Sequence, residues 1–367
     1  MALWNGIELD ELVLHAGSLT LRPWQPSDAP AVRQIMADEQ MTRYLDVPRP
    51  YSAVDAVEFV TELGVAGRRA GSRIDCAIAR NADGALLGSA SLHLGSNRGG
   101  EIGYWVESGS WRQGIATEAV QTLARFGFAH GLCRIKITCY YGNVGSAGVA
   151  LKSGFRYEGI ARAGALHRGE PIDLVVFGRL PTDDDEPVEP MWPQFPVLTD
   201  GVVALRPITA EDWPTVLAEG NNPASVAWGF TGQPMDEATA RRRAAMAPMD
   251  RLVNRHASLL ICDAVTGAGA GVLSVRRAGP PGVIALGYGI TPQFRGRRFT
   301  ARALRLFSDW VLEDALAVRL ELGCKVDNLA SARSAEAAGF TVDAHYPSRL
   351  RNPDGSYSDE IGFCKVR

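Results

Sequence analysis

Glu101 heads the stretch EIGYWVESGSWRQGIATEAV, which ends at Val120. A carboxylate, an apolar run, a turn bearing Gly114 and the start of a helix form a pattern with chemical content. A strand passing through a tight turn into a helix aims several unpaired backbone N–H groups into one small space. The helix dipole adds partial positive charge there. Phosphate or pyrophosphate suits such a place. Gly114 and Ala116 are small enough to let a ligand approach the backbone, and Arg112 and Gln113 set donors beside it. Taken alone, the spacing fits equally well a glycine that only shapes a tight turn.

Positioning such groups requires a folded scaffold, and composition allows one. The chain has 367 residues, of which 46% are hydrophobic, enough for two domains with buried cores. Net charge is −3, so no global field attracts nucleic acid or an acidic membrane. The six cysteines are scattered with no C-x-x-C pair, so reduced thiols are expected and neither a metal nor disulfides. The opening MALWNGIELDEL lacks the basic and apolar regions of a signal peptide, and no apolar run is long enough to span a bilayer. A cytoplasmic protein is the expectation.

The segment PTDDDEPVEPMWPQFP, residues 181–196, is too rich in proline for helix or central strand and reads as an extended linker. It nearly bisects the chain, and the halves repeat. Leu21-Arg22-Pro23 recurs as Leu205-Arg206-Pro207, and Gly103-Tyr104 as Gly287-Tyr288, at one and the same offset. Asn143 with Ser146 returns as Asn328 with Ser331, and Gly154-Phe155 as Gly339-Phe340, with the offset one position longer. Gly169, Asp173 and Phe177 return as Gly355, Asp359 and Phe363, with the offset longer by one more. Markers in one order at a near-constant offset point to two copies of one domain, at 1–180 and 197–367. Each copy reads as a strand ending at LRP, helices capped near Ser27 or Asp28 and covering 55–69, three strands with an Asp-Gly hairpin, and a helix over 114–130. A strand RIKITCY, a short helix over 146–152 and a last strand IDLVVFGRL follow. In the 114–130 helix, Ala116, Ala119, Val120 and Leu123 share one face. Strands outnumber crossover helices, so the fold class is α+β, with a mixed, mostly antiparallel central sheet flanked by helices in each domain.

This order of elements, with Trp111-Arg112-Gln113-Gly114-Ile115-Ala116, resembles the GNAT superfamily of acyl-CoA N-acyltransferases, whose CoA loop reads Arg/Gln-x-x-Gly-x-Gly/Ala. Trp111 departs from that pattern. It is similar, as are Thr117-Glu118-Ala119 and Asn143-Val-Gly-Ser146, to the branch containing ribosomal-protein N-terminal acetyltransferases. The resemblance implies acetyl-CoA as co-substrate, its pyrophosphate held by backbone N–H groups from Gln113 to Thr117. It implies a pantetheine arm along Trp105 and Val106, with Asn143 and Ser146 near the arm and the sulfur. Glu101 takes the place of the family's general base, and Val106 N–H that of an oxyanion donor. The tyrosine that many relatives place seven residues after the asparagine is Ala150 here. Ser146 either serves the leaving thiolate or caps the short helix. Asp173 either orients the acceptor amine or is a polar residue at a strand start, and His167 reads as a surface residue.

The second copy departs at each landmark. Ala285 stands opposite Glu101, Arg298 opposite Gly114 and Thr300 opposite Ala116. That copy is expected to be degenerate, an intramolecular pseudo-dimer partner rather than a second enzyme. The expectation is an N-acetyltransferase with one competent site, its acceptor a protein N-terminus or a small amine attacking the thioester directly. A non-catalytic acyl-CoA-binding scaffold and two active copies with different acceptors are the alternatives.

Overall fold

The computed structural model describes residues 8–228, 233–314 and 316–367. It divides into two units, Met1–Glu189 and Pro190–Arg367. The N-terminal unit comprises β1 (Leu14–Ala16), β2 (Leu19–Arg22), α1 (Ala29–Met36), α2 (Glu39–Thr42), α3 (Ala53–Glu58), α4 (Gly64–Arg69), β3 (Arg73–Arg80), β4 (Leu86–Leu94), β5 (Gly99–Val106), α5 (Ile115–Ala129), β6 (Arg134–Tyr140), α6 (Val144–Lys152), β7 (Arg156–His167) and β8 (Glu170–Arg179). The C-terminal unit repeats the order: β9 (Leu198–Thr199), β10 (Val203–Pro207), α7 (Trp213–Gly220), α8 (Pro223–Trp228), α9 (Glu237–Val253), β11 (His256–Asp263), β12 (Gly269–Arg277), β13 (Val283–Ile290), α10 (Phe299–Glu313), β14 (Arg319–Lys325), α11 (Leu329–Ala337), β15 (Thr341–Arg351) and β16 (Tyr357–Val366).

Each unit holds one eight-stranded mixed sheet, ordered β1-β2-β3-β4-β5-β6-β8-β7 in the first and β15-β16-β14-β13-β12-β11-β10-β9 in the second. All neighbours are antiparallel except β5 with β6 and β13 with β14. A parallel pair needs a crossover, and α5 and α10 supply it. The apolar stripe of α5 faces the sheet: Ala119, Val120, Leu123 and Ala124 are all fully buried. A buried leucine such as Leu123 contributes roughly 2 kcal/mol. Ala116 stays partly open at the helix start rather than joining that stripe. In the C-terminal unit Phe299, Leu304, Phe307 and Val311 of α10 fill the same layer.

Local signals set the element ends. Ser52 caps α3 by accepting from Asp55 N–H, so the helix starts before residue 55 and continues through a π-turn at Phe59–Leu63 into α4. Asp28 does not cap α1. Its carboxylate takes Arg22 on both oxygens, at 2.8 and 2.7 Å, and the Gln25 N–H at 2.9 Å. Arg206 and Asp212 repeat this fork, with 2.7 Å on each oxygen, which explains why LRP recurs. Residues 181–196 carry neither helix nor strand. Asp185 meets Arg179 and Arg125 in the first unit, whereas Trp192 and Phe195 are buried in the core of the second.

Candidate active site

In the N-terminal unit β5 pairs with β4 along its length, from Gly88↔Val106 to Leu94↔Gly100. Its other edge meets β6 only at Gly99↔Arg134, Gly100↔Ile135 and Glu101↔Lys136. Both strands run on, to Val106 and Tyr140, so they part beyond Glu101 and leave a wedge. Glu107 N–H donates to Leu87 O at 2.8 Å, one rung past the end of β5. Alternation along the antiparallel ladder therefore turns the N–H groups of Tyr104 and Val106 into the wedge.

The wedge opens toward the loop that enters α5. The chain makes a short 3₁₀ turn at Ser108–Ser110, then takes left-handed φ values of 62° at Arg112 and 85° at Gly114. Trp111 anchors this loop to the strand: its indole N–H donates to Val106 O at 2.7 Å. Gln113 Nε2 donates to Gly109 O at 3.3 Å, and Ile115 is buried as the first anchor of α5. The first intrahelical bond is Glu118 N–H to Gly114 O at 3.0 Å. The amides of Ile115, Ala116 and Thr117 thus belong to the first turn, which has no intrahelical acceptor for them. A Cβ built on Gly114 meets nothing within 4 Å, so the ground before those amides is open.

Two faces of the sheet meet at the wedge. Glu101 lies on the same face of β5 as Trp105, because their spacing is even. One Glu101 oxygen accepts from Thr138 Oγ1 at 2.7 Å, and the other lies 3.0 Å from Lys136 Nζ. The partly buried Trp105 ring stacks at 6.2 Å on Trp24 and lies 6.5 Å from Phe59, packed against the cluster beneath α1 and α3. On the opposite face Tyr104 reaches α6: its hydroxyl is 2.8 Å from Ser146 Oγ and donates to Ser146 O at 3.0 Å. Burial pushes the Tyr104 phenol up from its ordinary value, against the Ser146 hydrogen bond. Cys139 on β6 lies beside the same Ser146, and burial pushes its thiol up to about 12, which makes it inert as a nucleophile. In the sequence Tyr104 figured only as a repeat marker, and neither it nor Cys139 was read as a site residue. The signal was present, since both recur in the second copy as Tyr288 and Cys324.

Other expected site residues have structural work. The cap of α6 is Asn143, whose side chain accepts from Ser146 N–H at 3.2 Å, so Ser146 is not itself the cap. The Asp173 carboxylate accepts from Ala163 N–H at 2.8 Å, pinning a bulge of β7 where Ala163 has φ 48°. Asp359 does the same for Ser348 N–H at 2.8 Å. His167 is half-buried against Tyr140, with ring centroids 4.8 Å apart, rather than a surface residue.

The second copy keeps the frame. Pairing of β13 with β14 ends at Ala285↔Glu321, and Tyr288 Oη is 2.8 Å from Ser331 Oγ. The two left-handed positions recur at Gly296 (φ 72°) and Arg298 (φ 59°). Arg295 bonds Asn222, and Arg297 reaches Asp263 at 3.3 Å while covering the ring of Phe299. Two of the three arginines of this loop thus serve the unit's own packing. No group of side chains suited to a metal ion occurs among the described residues, and no described helix is long and apolar enough to cross a membrane.

The Acetyltransferase (GNAT) domain family matches this chain twice, at residues 18–156 and 203–341. The chain therefore belongs to the GNAT N-acetyltransferases, with two tandem domains. It is similar to Uncharacterized N-acetyltransferase YoaA of Bacillus subtilis, 30% identical over 169 residues, 45% of this chain and 94% of that protein. It is also similar to Putative ribosomal N-acetyltransferase YdaF of Bacillus subtilis, 39% identical over 101 residues, 27% of this chain and 55% of that one. Among solved structures, a putative ribosomal-protein-serine acetyltransferase from Vibrio cholerae is 24% identical, with a TM-score of 0.44, covering 47% of this chain and 99% of that one.

Proposed function

We propose that the N-terminal unit transfers an acetyl group from acetyl-CoA to a primary amine by direct attack, in the cytoplasm. The observation that carries this reading is the wedge: Glu101 stands at its closed end on one face, and the Tyr104–Ser146 hydroxyl pair stands on the other. The first-turn amides of α5, with Arg112 and Gln113 beside them, take the pyrophosphate. The pantetheine arm pairs with the freed edge of β5 at Tyr104 and Val106, and Asn143 offers it the NH2 of its carboxamide.

The acceptor arrives as an ammonium on the Glu101 face. The carboxylate, directed by Thr138 and Lys136, takes one proton, and its partial exposure lets that proton pass to water. The amine lone pair attacks the thioester carbon, and the oxygen gains the negative charge beside Val106 N–H. The tetrahedral nitrogen gives its second proton to water on the Glu101 face as the C–S bond breaks, and the thiolate leaves toward the Tyr104–Ser146 hydroxyl pair, which hydrogen-bonds it until it takes a proton from solvent. A protein N-terminus is the favoured acceptor, because this chain is similar to Putative ribosomal N-acetyltransferase YdaF. We assign Asp173 no substrate contact and the C-terminal unit no turnover.

Thiol release across a panel of peptide N-termini and small amines tests the reading. Glu101→Gln is expected to lower kcat roughly a hundredfold while CoA affinity holds. Unchanged turnover removes Glu101 from the mechanism. CoA binding without acetylation of any amine favours the non-catalytic alternative.

A further inference from the structure

Four positions, matched between the halves by the offset that relates the two LRP copies, differ in a concerted way. In the N-terminal unit Trp24, Phe59 and Trp105 form an aromatic plug, with Trp24 and Phe59 ring centroids 5.0 Å apart, and Ile35 is a buried residue of α1. The counterparts of Trp24, Phe59, Trp105 and Ile35 are Ile208, Arg243, Gly289 and Glu219. The apolar frame around them is retained: Val32, Ala56 and Val60 match Val216, Ala240 and Ala244, all buried. One layer of the domain has thus exchanged ring packing for a glycine and two opposite charges.

The result is a cavity of about 560 Å³ in the C-terminal unit, lined by Glu219, Arg243, Asp250, Ser258, Ser274 and Gly289 among others. That volume falls within the roughly 300–1,000 Å³ of small-molecule sites. A Cβ on Gly289 would stand 1.7 Å from Glu219 Oε1, so the carboxylate lies against bare strand backbone. Ser225 Oγ donates to that same oxygen at 2.9 Å, and desolvation raises the Glu219 carboxyl above its ordinary value despite Ser225 and the Arg243 charge. Asp250 is already held by Asn254, whose amide donates at 3.1 Å. His256 also lines the cavity, beside the charge of Asp250, which leaves Glu219 and Arg243 as the acid and the base that replace apolar residues of the first unit. Lining a cavity with charge in place of a ring cluster gives up apolar burial, and such features concentrate where ligands bind.

We propose that this cavity binds a compact zwitterion of the α-amino-acid type, its ammonium on Glu219 and its carboxylate on Arg243, as a ligand site without turnover. The test uses the full chain. Free amino acids are titrated singly by calorimetry, with n-butylamine and butyrate as single-charge probes. An amino acid is expected to bind at least tenfold more tightly than either probe, and Glu219→Gln and Arg243→Gln are each expected to weaken it at least tenfold. Gly289→Trp, which restores the bulk of the first unit, abolishes binding; Glu219→Gln, nearly isosteric, serves if that variant does not fold. The proposal is overturned if no amino acid binds, if either single-charge probe binds as tightly, or if binding survives Glu219→Gln and Arg243→Gln.

Discussion

Glu101 and Tyr104 lie three residues apart on one strand, and that odd spacing puts their side chains on opposite faces of the sheet. The proposed acetyl transfer uses this separation, with the amine's proton taken on one face and the leaving sulfur met on the other. Tyr104 raised by burial stays protonated and donates throughout the neutral range. Tyr104→Phe is therefore expected to lower kcat roughly a hundredfold with little change in KM for acetyl-CoA. Tyr288→Phe, which removes the equivalent hydroxyl of the second unit, leaves turnover unchanged. Steady-state thiol release on both variants decides the matter, and equal losses would mean that both units turn over. The sequence pointed to Glu101 through its place before the loop, and the structure puts it where β5 and β6 part. Tyr104 was legible only as a repeat marker, because the tyrosine's partner, Ser146, is 42 residues away and their contact is made by the fold.

Elements were more legible than contacts. The two LRP copies marked β2 and β10, and the structure explains their likeness by the arginine fork onto Asp28 and Asp212. The period of α5 was readable because Ala119, Val120 and Leu123 must face the sheet. The long strands β7 and β15 were not read, since both are exposed along most of their length and carry no alternating apolar pattern. Asp212 yields a prediction with a sign. Desolvation raises its carboxyl, but the Arg206 and Thr209 hydrogen bonds outweigh that and hold it below its ordinary 3.8. Between that folded value and 3.8 the unfolded chain binds more protons, so the contribution is present above pH 3.8 and is lost as pH falls through the folded value. Asp212→Asn is expected to cost roughly 1–3 kcal/mol at pH 7 by urea unfolding, and progressively less as pH falls through the folded value. A penalty that does not depend on pH would show that the charge of Asp212 is irrelevant. Arg298 gives another. It holds a left-handed φ of 59° where the first unit uses Gly114. Arg298→Gly relieves that strain and is expected to stabilise the C-terminal unit by about 1 kcal/mol in the same assay, net of the glycine's greater freedom when unfolded.

At the scale of the whole chain, one frame has been kept twice and its contents have diverged. Both units retain the wedge, the hydroxyl pair and the asparagine cap. Only the first has a carboxylate on the central strand at the closed end of the wedge (Glu101, where the second unit has Ala285 and carries Glu321 on the neighbouring strand), a glycine at the second left-handed position of the loop and a plugged aromatic layer. Binding free energy from CoA should therefore enter one unit and not the other. A ligand at a hundred times its Kd stabilises the state that binds it by about 2.7 kcal/mol, a factor of roughly a hundred in the opening equilibrium. In hydrogen exchange of the full chain, core amides of β5, β6 and α5 that exchange only through unfolding of their unit should slow by up to about that factor. The amides of β13, β14 and α10 should be unmoved. Gly114→Arg, which copies the second unit's loop into the first, should abolish the difference, while its strain at φ 85° speeds exchange of that unit without CoA by only about fivefold. Protection of both units by CoA would show that a side chain at the second left-handed position does not close the loop, and two active sites would then have to be considered per chain.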